Sequence, residues 1–248
     1  MADHPSNAFY YFPKSAKSIL DVGCNNGTLL LSAYERGFTD FYGIEINQAA
    51  LLLAKEKTKN ISNIQLVQGS ADVIPFASET VDVATCIEVL EHVPSELRSC
   101  VISEIARILK QDGLFSLSVP YKGFFSFLDP ANMRFSFPKL FSLISKILGG
   151  GGRDLGFVGQ KHGVIWHYHF SLEELSILLE PHFEILNVRY RGAFMVPICE
   201  TLLFPFYRKN KLNHFIARYL RKWKFLDFHL NWGSFLSYNI LIVCKKKS

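Results

Sequence analysis

The amino-acid sequence predicts an α/β fold built on a doubly wound, mostly parallel sheet of seven strands. Three observations predict it. Short apolar, β-branched runs alternate with helix-like segments through the first half of the chain, a pattern that places helices on both faces of a parallel sheet. The first strand-like run stops at a tight turn, Gly23-Cys24-Asn25-Asn26-Gly27, and passes straight into a helix. A length of 248 residues suits one such domain with insertions.

Taken in order, the strand-like runs are SILDVG (18–23), FYGIEI (41–46), IQLVQG (64–69), VDVATCI (81–87), LFSLSV (114–119), EILNVRYRG (184–192) and SYNILIVCKK (237–246). Between the first five lie helices over 27–37, 47–60 and 95–110. The third has Ser95 at its N-cap and Leu97, Val101, Ile105 and Ile108 at helical spacing. A further helix starts at Ser171, with Glu174 three residues on as a capping box. Residues 120–170, rich in Phe, Gly and Pro, and residues 193–236 are too long for ordinary connections. They are expected to be insertions that cap the substrate side of a single domain.

Hydrophobic residues make up 49% of the chain and the mean hydropathy is +0.14, so apolar surface is left over for a lipid or an apolar ligand. No apolar run reaches the ~18–20 residues of a membrane span. The start, MADHPSNAFYYFPKS, lacks the pattern of a secretory leader. Five scattered cysteines without a C-x-x-C pair fit a reducing compartment, so a cytoplasmic protein is expected. The net charge of +5 is uneven. Residues 1–200 carry 17 Lys+Arg against 21 Asp+Glu (−4), and residues 201–248 carry 10 against Asp227 alone (+9).

The glycine turn does not read G-x-G-x-x-G, because Asn25 and Thr28 stand where a dinucleotide loop has glycine. Asp21 precedes it and suits a ligand ammonium, while loop N–H groups suit a carboxylate. Glu45 closes the second strand 22 residues after Gly23, where a carboxylate accepts from both hydroxyls of a ribose. A nucleoside joined to an amino acid, without phosphates, satisfies all three.

With LDVGCNNG, YGIEIN, QGSADVIPF, VDVATCIEVLEHVP and ARILKQDGLFSLSVP in order, residues 18–120 resemble the class I S-adenosylmethionine-dependent methyltransferases, in particular the small-molecule subgroup that includes quinone-biosynthesis enzymes. The resemblance implies a Rossmann-like sheet with an antiparallel last strand and S-adenosylmethionine as cofactor. It implies that Asp21, Gly23 and Gly27 cradle the methionine part and that Glu45 holds the ribose. The turn of Ser70, Ala71 and Asp72 would flank adenine, with Ile87, Glu88 and His92 near the sulfonium. Cys24 and Ile46, beside Gly23 and Glu45, complete the implied set, although Cys24 and Cys86 also read as small core side chains. The sequence departs from the subgroup twice. Asn25 replaces a glycine, and asparagine tolerates positive φ. Ser70 replaces an acid, which leaves either Ser70 or Asp72 to receive the adenine amino group.

Methyl transfer to a hydroxyl needs a base, and histidine is the usual choice. In Lys161–Phe170, His167 and His169 share one face of an extended segment and are the candidate catalytic residues. A metal site from His162, His167, His169 and Asp129 matches no ligand spacing, so no metal is expected. The expected acceptor is a small molecule, lipid-linked or glycan, methylated at oxygen. A nucleic-acid acceptor ranks behind it, because no N/D-P-P-Y element follows the fourth strand. A non-catalytic S-adenosylmethionine-binding protein of the same fold is the other alternative. Residues 208–224 contain no acid and form a basic segment with an apolar stripe of Leu212, Phe215, Ile216, Tyr219, Leu220 and Trp223. Two readings stay open for that stripe, packing on the domain and peripheral contact with a membrane.

Overall fold

The computed structural model describes residues 8–9, 11–129, 168–193, 215–230 and 233–247, with positions 137, 139, 143, 195–196, 198–199 and 202–203. Its sheet is formed by β1 (Ser18–Val22), β2 (Asp40–Glu45), β3 (Ile64–Gln68), β4 (Val81–Ile87), β5 (Leu109–Pro120), β6 (Phe183–Arg191) and β7 (Asn239–Lys246). The strand order is β3-β2-β1-β4-β5-β7-β6, parallel except that β7 runs antiparallel to both neighbours. The seven strands and the reversed last one agree with the sequence expectation.

Every residue of β1 is buried. It pairs with β2 on one side, Ile19 opposite Phe41, and with β4 on the other, Ile19 opposite Val83. The chain reverses its winding direction between β1 and β4, and in such sheets the ligand crevice lies beyond the strand ends at that point. At the opposite end Asp82 accepts from the backbone N–H of Lys17 and Ser18 and from Lys110 Nζ. Burial works against its charge, yet those hydrogen bonds hold its carboxyl down at about 2.

Helices α1 (Thr28–Glu35), α2 (Gln48–Lys57) and α3 (Arg98–Ile108) cover the sheet. Asn47 caps α2 by accepting from the Ala50 N–H. The predicted start of α3 needs correction. Residues Ser95–Leu97 form a separate 3-10 turn after Pro94, and the Ser95 hydroxyl turns to Glu96 rather than to the backbone. The helix then buries Val101, Ile102, Ile105, Ala106 and Ile108, each of the Val and Ile side chains contributing roughly 1.5–3 kcal/mol if wholly withdrawn from water. A later helix, α4 (Leu172–Leu179), buries Leu175 and Leu179.

The chain divides into two compact units, residues 1–119, 172–188 and 241–248 in the first and 120–171 with 189–240 in the second. In the second, Tyr121 bridges Phe170, and the Tyr121 N–H donates to the Tyr238 carbonyl. Gly123 lies so close to the Ser237 carbonyl that no Cβ fits there. Helix α5 (Phe215–His229) follows, then the short α6 (Gly233–Leu236). Asp227 on α5 is buried and accepts from the backbone N–H of Ala193 and Val196 at 3.0 and 2.9 Å. Among the described residues no helix is long and apolar enough to cross a membrane.

Candidate active site

At the end of β1 the chain enters the turn with Gly23 at φ 73°, Asn25 at 45° and Gly27 at 74°. Asparagine at 25 does adopt the left-handed conformation that the lost glycine would have supplied. Gly23 also lies against Val89, whose side chain a Cβ would strike. Gly27 also bears on the packing of the helices. Its missing Cβ would meet Ala54 and Thr58 of α2 at 3.2 Å, so the glycine serves the turn and the approach of α1 to α2.

Most loop donors are engaged within the protein. The N–H groups of Gly23 and Cys24 go to the Ile44 carbonyl, and that of Gly27 goes to the Cys24 carbonyl. The first turn of α1 contains no acid, and its N–H groups have no acceptor inside the helix. Donors suited to a ligand carboxylate are thus available at the start of α1. The thiol of Cys24 is buried among core side chains. Burial, then the Asp21 and Glu45 carboxylates, push it above its ordinary value, so what Cys24 offers a ligand is backbone.

Asp21 is buried beneath the turn and accepts from the Thr85 hydroxyl at 2.8 Å. Burial raises its carboxyl to about 7, the Thr85 hydrogen bond opposes the rise, and the Glu45 charge adds to it. Thr85 was not among the residues read from the sequence. Its signal is a hydroxyl in the apolar stretch Val83–Ile87 of β4, directly across from Asp21 in the strand register.

Glu45, half-buried at the end of β2, accepts from the Asn25 N–H with one oxygen and from the Asn47 N–H with the other, at 2.9 and 2.8 Å. A carboxylate has about four acceptor positions, which leaves capacity for a vicinal diol. Ile46 beside it is 49% exposed, an apolar surface of the kind on which a purine ring rests. In the next turn the Ser70 hydroxyl donates to Asp72, so these two residues form one polar unit next to Ala71. Glu104 and Arg107 of α3 hold the chain that follows. Glu104 accepts from the Ile74 N–H, and Arg107 donates to the carbonyls of Ile74 and Phe76.

Beyond β4, Glu88 takes φ 55°. Its N–H donates to the Ser118 carbonyl, and its carboxylate accepts from the Ser118 hydroxyl. Ile87 precedes it at the strand end, and the exposed His92 sits on the 3-10 turn Leu90–His92, 3.9 Å from Glu91. The fold thus gathers Asp21, the glycine turn, Glu45, Ile46 and the residues after β4 at the carboxyl ends of adjacent strands. The donor set fits S-adenosylmethionine: an acid beneath the turn, a helix start free of acid, and a strand-end carboxylate with spare lone pairs.

A methyltransferase-domain family model matches residues 20–117. This stretch belongs to the methyltransferase domain family. The domain is of class I, with the Rossmann-like sheet, and S-adenosylmethionine is its cofactor. Among relatives, a demethylmenaquinone methyltransferase of Staphylococcus carnosus is 34% identical over 103 residues, 41% of this chain and 42% of the relative. A ubiquinone biosynthesis O-methyltransferase of Aliivibrio fischeri is 35% identical over 99 residues, 39% and 41% of the two chains. The matched stretch thus spans about two fifths of either relative's length. A SAM-dependent methyltransferase from Methanosarcina mazei shares the fold over 98% of this chain and 97% of its own, with a TM-score of 0.57 and 20% identity.

The candidate bases lie outside the matched residues 20–117. His169 belongs to the second unit, where its Nε2 lies 3.2 Å from Asp129 Oδ2, both side chains nearly buried, and its ring meets Tyr238 edge-on at 5.8 Å. His167 and His162 lie outside the described residues. No metal-binding cluster occurs among the described residues.

Proposed function

We propose that the chain transfers the methyl group of S-adenosylmethionine to an oxygen of a small, quinone-like or lipid-linked acceptor. The observation that carries the donor side is the Glu45 carboxylate, fixed at the end of β2 by the N–H groups of Asn25 and Asn47 beside the outward Ile46. The acceptor class is supported by the two relatives, a demethylmenaquinone methyltransferase and a ubiquinone biosynthesis O-methyltransferase. Bound S-adenosylmethionine supplies an activated methyl on a sulfonium. Glu45 orients its ribose, Asp21 faces the ammonium through the turn, and the start of α1 receives the carboxylate. The insertions at 120–170 and 193–236 are proposed to supply the acceptor side.

The acceptor hydroxyl loses its proton as its oxygen takes the methyl. His169 is assigned that proton, with Asp129 orienting the imidazole from 3.2 Å. Isothermal titration with S-adenosylmethionine and with NAD tests the donor, and only the former should bind. A radiolabelled-methyl assay on fractionated lipid, glycan, RNA and protein identifies the acceptor. Label in the RNA fraction alone would replace the small-molecule reading. A His167→Ala/His169→Ala variant should bind cofactor normally and turn over on the order of 100-fold more slowly. Full rate in that variant would place the base elsewhere.

A further inference from the structure

Of the apolar stripe, Phe215, Ile216, Tyr219 and Trp223 are exposed, Leu220 is half-buried, and Leu212 lies outside the described residues. With Leu226 and with Leu230 just past the end of α5, the exposed members are between 41% and 69% accessible. At 3.6 residues per turn they occupy about a ~100° arc of one face. Arg218 and Lys222, also exposed, sit together one turn apart on one flank of that arc. The far side carries the buried Ala217, and the buried Asp227 sits at the edge of the arc away from Arg218 and Lys222. Asp227 is the one acid in residues 201–248, and its carboxylate points inward to the N–H groups of Ala193 and Val196. The outward face is therefore apolar and aromatic, bordered by positive charge and free of acid. In the same unit Phe235 of α6 stacks on Phe124 at 5.4 Å, and both rings are exposed.

We infer that the outward face of α5 is a docking surface for an anionic lipid bilayer, with the helix lying in the interface plane. The chemistry selects this occupant. Aliphatic side chains such as Leu226 and Leu230 gain nothing from a phosphodiester backbone, and acyl chains accept them. A second copy docked through the same face would bring Arg218 and Lys222 of both chains together, like charge against like. A helix of 15 residues is too short to span and suits an interfacial position, where a Tyr or Trp ring buries its body and keeps its polar tip wet. The docking stands independently of methyl transfer. That the acceptor is itself lipid-borne rests on the methyl-transfer reading.

The test is flotation of the full chain with phosphatidylcholine vesicles and with vesicles enriched in phosphatidylglycerol. Binding should appear with the anionic vesicles and fade as salt rises. Arg218→Gln/Lys222→Gln should weaken it on the order of 30-fold, about fivefold per charge at ~1 kcal/mol each. Tyr219→Ser/Trp223→Ser should abolish it, with the melting temperature of both variants unchanged, since these side chains face outward. Equal binding to neutral vesicles, no binding to either, or lipid-free self-association lost in the Tyr219/Trp223 variant would each overturn the inference. If a variant fails to fold, the salt dependence of the unaltered chain decides. Titration with S-adenosylmethionine in the same preparations reads the donor site separately, so failure of one reading leaves the other visible.

Discussion

Glu45 has two tasks, and substitutions can part them. It braces Asn25 and Asn47, and it offers its remaining lone pairs to a ribose. Glu45→Gln keeps an acceptor oxygen and loses the charge, so S-adenosylmethionine binding should weaken by about 1–3 kcal/mol in calorimetry with little change in melting temperature. Glu45→Ala should lose the same affinity and also lower the melting temperature, because two backbone N–H groups lose their acceptor. Asp21 gives a pH dependence. Its folded value, about 7, lies above the ordinary 3.8, so the folded state holds the proton more tightly than the unfolded chain. Stability from this group is complete below about pH 4 and declines towards pH 7, by at most ~1.4 kcal/mol per unit. An ammonium needs the ionised form, so cofactor affinity should rise with pH up to about 7 and level off above it, with proton uptake by buffer on binding at lower pH. Asp21→Asn should flatten both profiles. Residues of this kind were legible because each carries its chemistry in a short motif. Thr85 was not, since its importance lies in pairing across strands far apart in sequence.

At the scale of elements, the glycine at 27 is a joint between two helices. Its φ of 74° and its contacts with Ala54 and Thr58 predict that Gly27→Val destabilises the fold by several kcal/mol in denaturant unfolding, through left-handed strain and through clash with α2. Relieving the clash with Ala54→Gly should restore part of that loss and leave the strain. The sequence placed β4 at its true bounds and β1, β2 and β3 within a residue, because apolar alternation and turn residues agree there. It missed the first half of β5. Helix α3 passes directly into the strand at Leu109, and Lys110, Gln111 and Asp112 give that stretch the look of a loop. Ser95 misled for a related reason: a serine after proline looks like a cap, yet its hydroxyl found a carboxylate.

For the whole molecule, legibility divides with the two units. The cofactor side is written in local motifs at fixed spacing along the first 120 residues. The insertions at 120–170 and 193–236 are long segments whose folding no short pattern encodes. Charge was legible across the same divide: the +9 excess of the last 48 residues pointed to a surface role before the exposure of α5 gave it a face. Sequence pattern could locate the stripe but not its direction. Asp227, the one acid of the segment, is turned to the backbone N–H groups of Ala193 and Val196 and leaves the exposed face without negative charge.

Of the five cysteines, Cys100 on α3 is exposed, while Cys24, Cys86, Cys199 and Cys244 are buried. The protein therefore contains a built-in clock. A maleimide should modify Cys100 at once and the other four only when their surroundings open, each at a rate set by the free energy of that opening. Cys24 belongs to the glycine turn and its thiol packs into the core, so its modification times the excursions of that turn, and mass spectrometry of the labelled peptides would read it without any engineered probe. Saturating S-adenosylmethionine should slow the Cys24 clock by a factor of 1 + [L]/Kd and leave Cys100 unchanged. A Cys24 rate indifferent to the cofactor would mean that the turn opens without releasing its ligand.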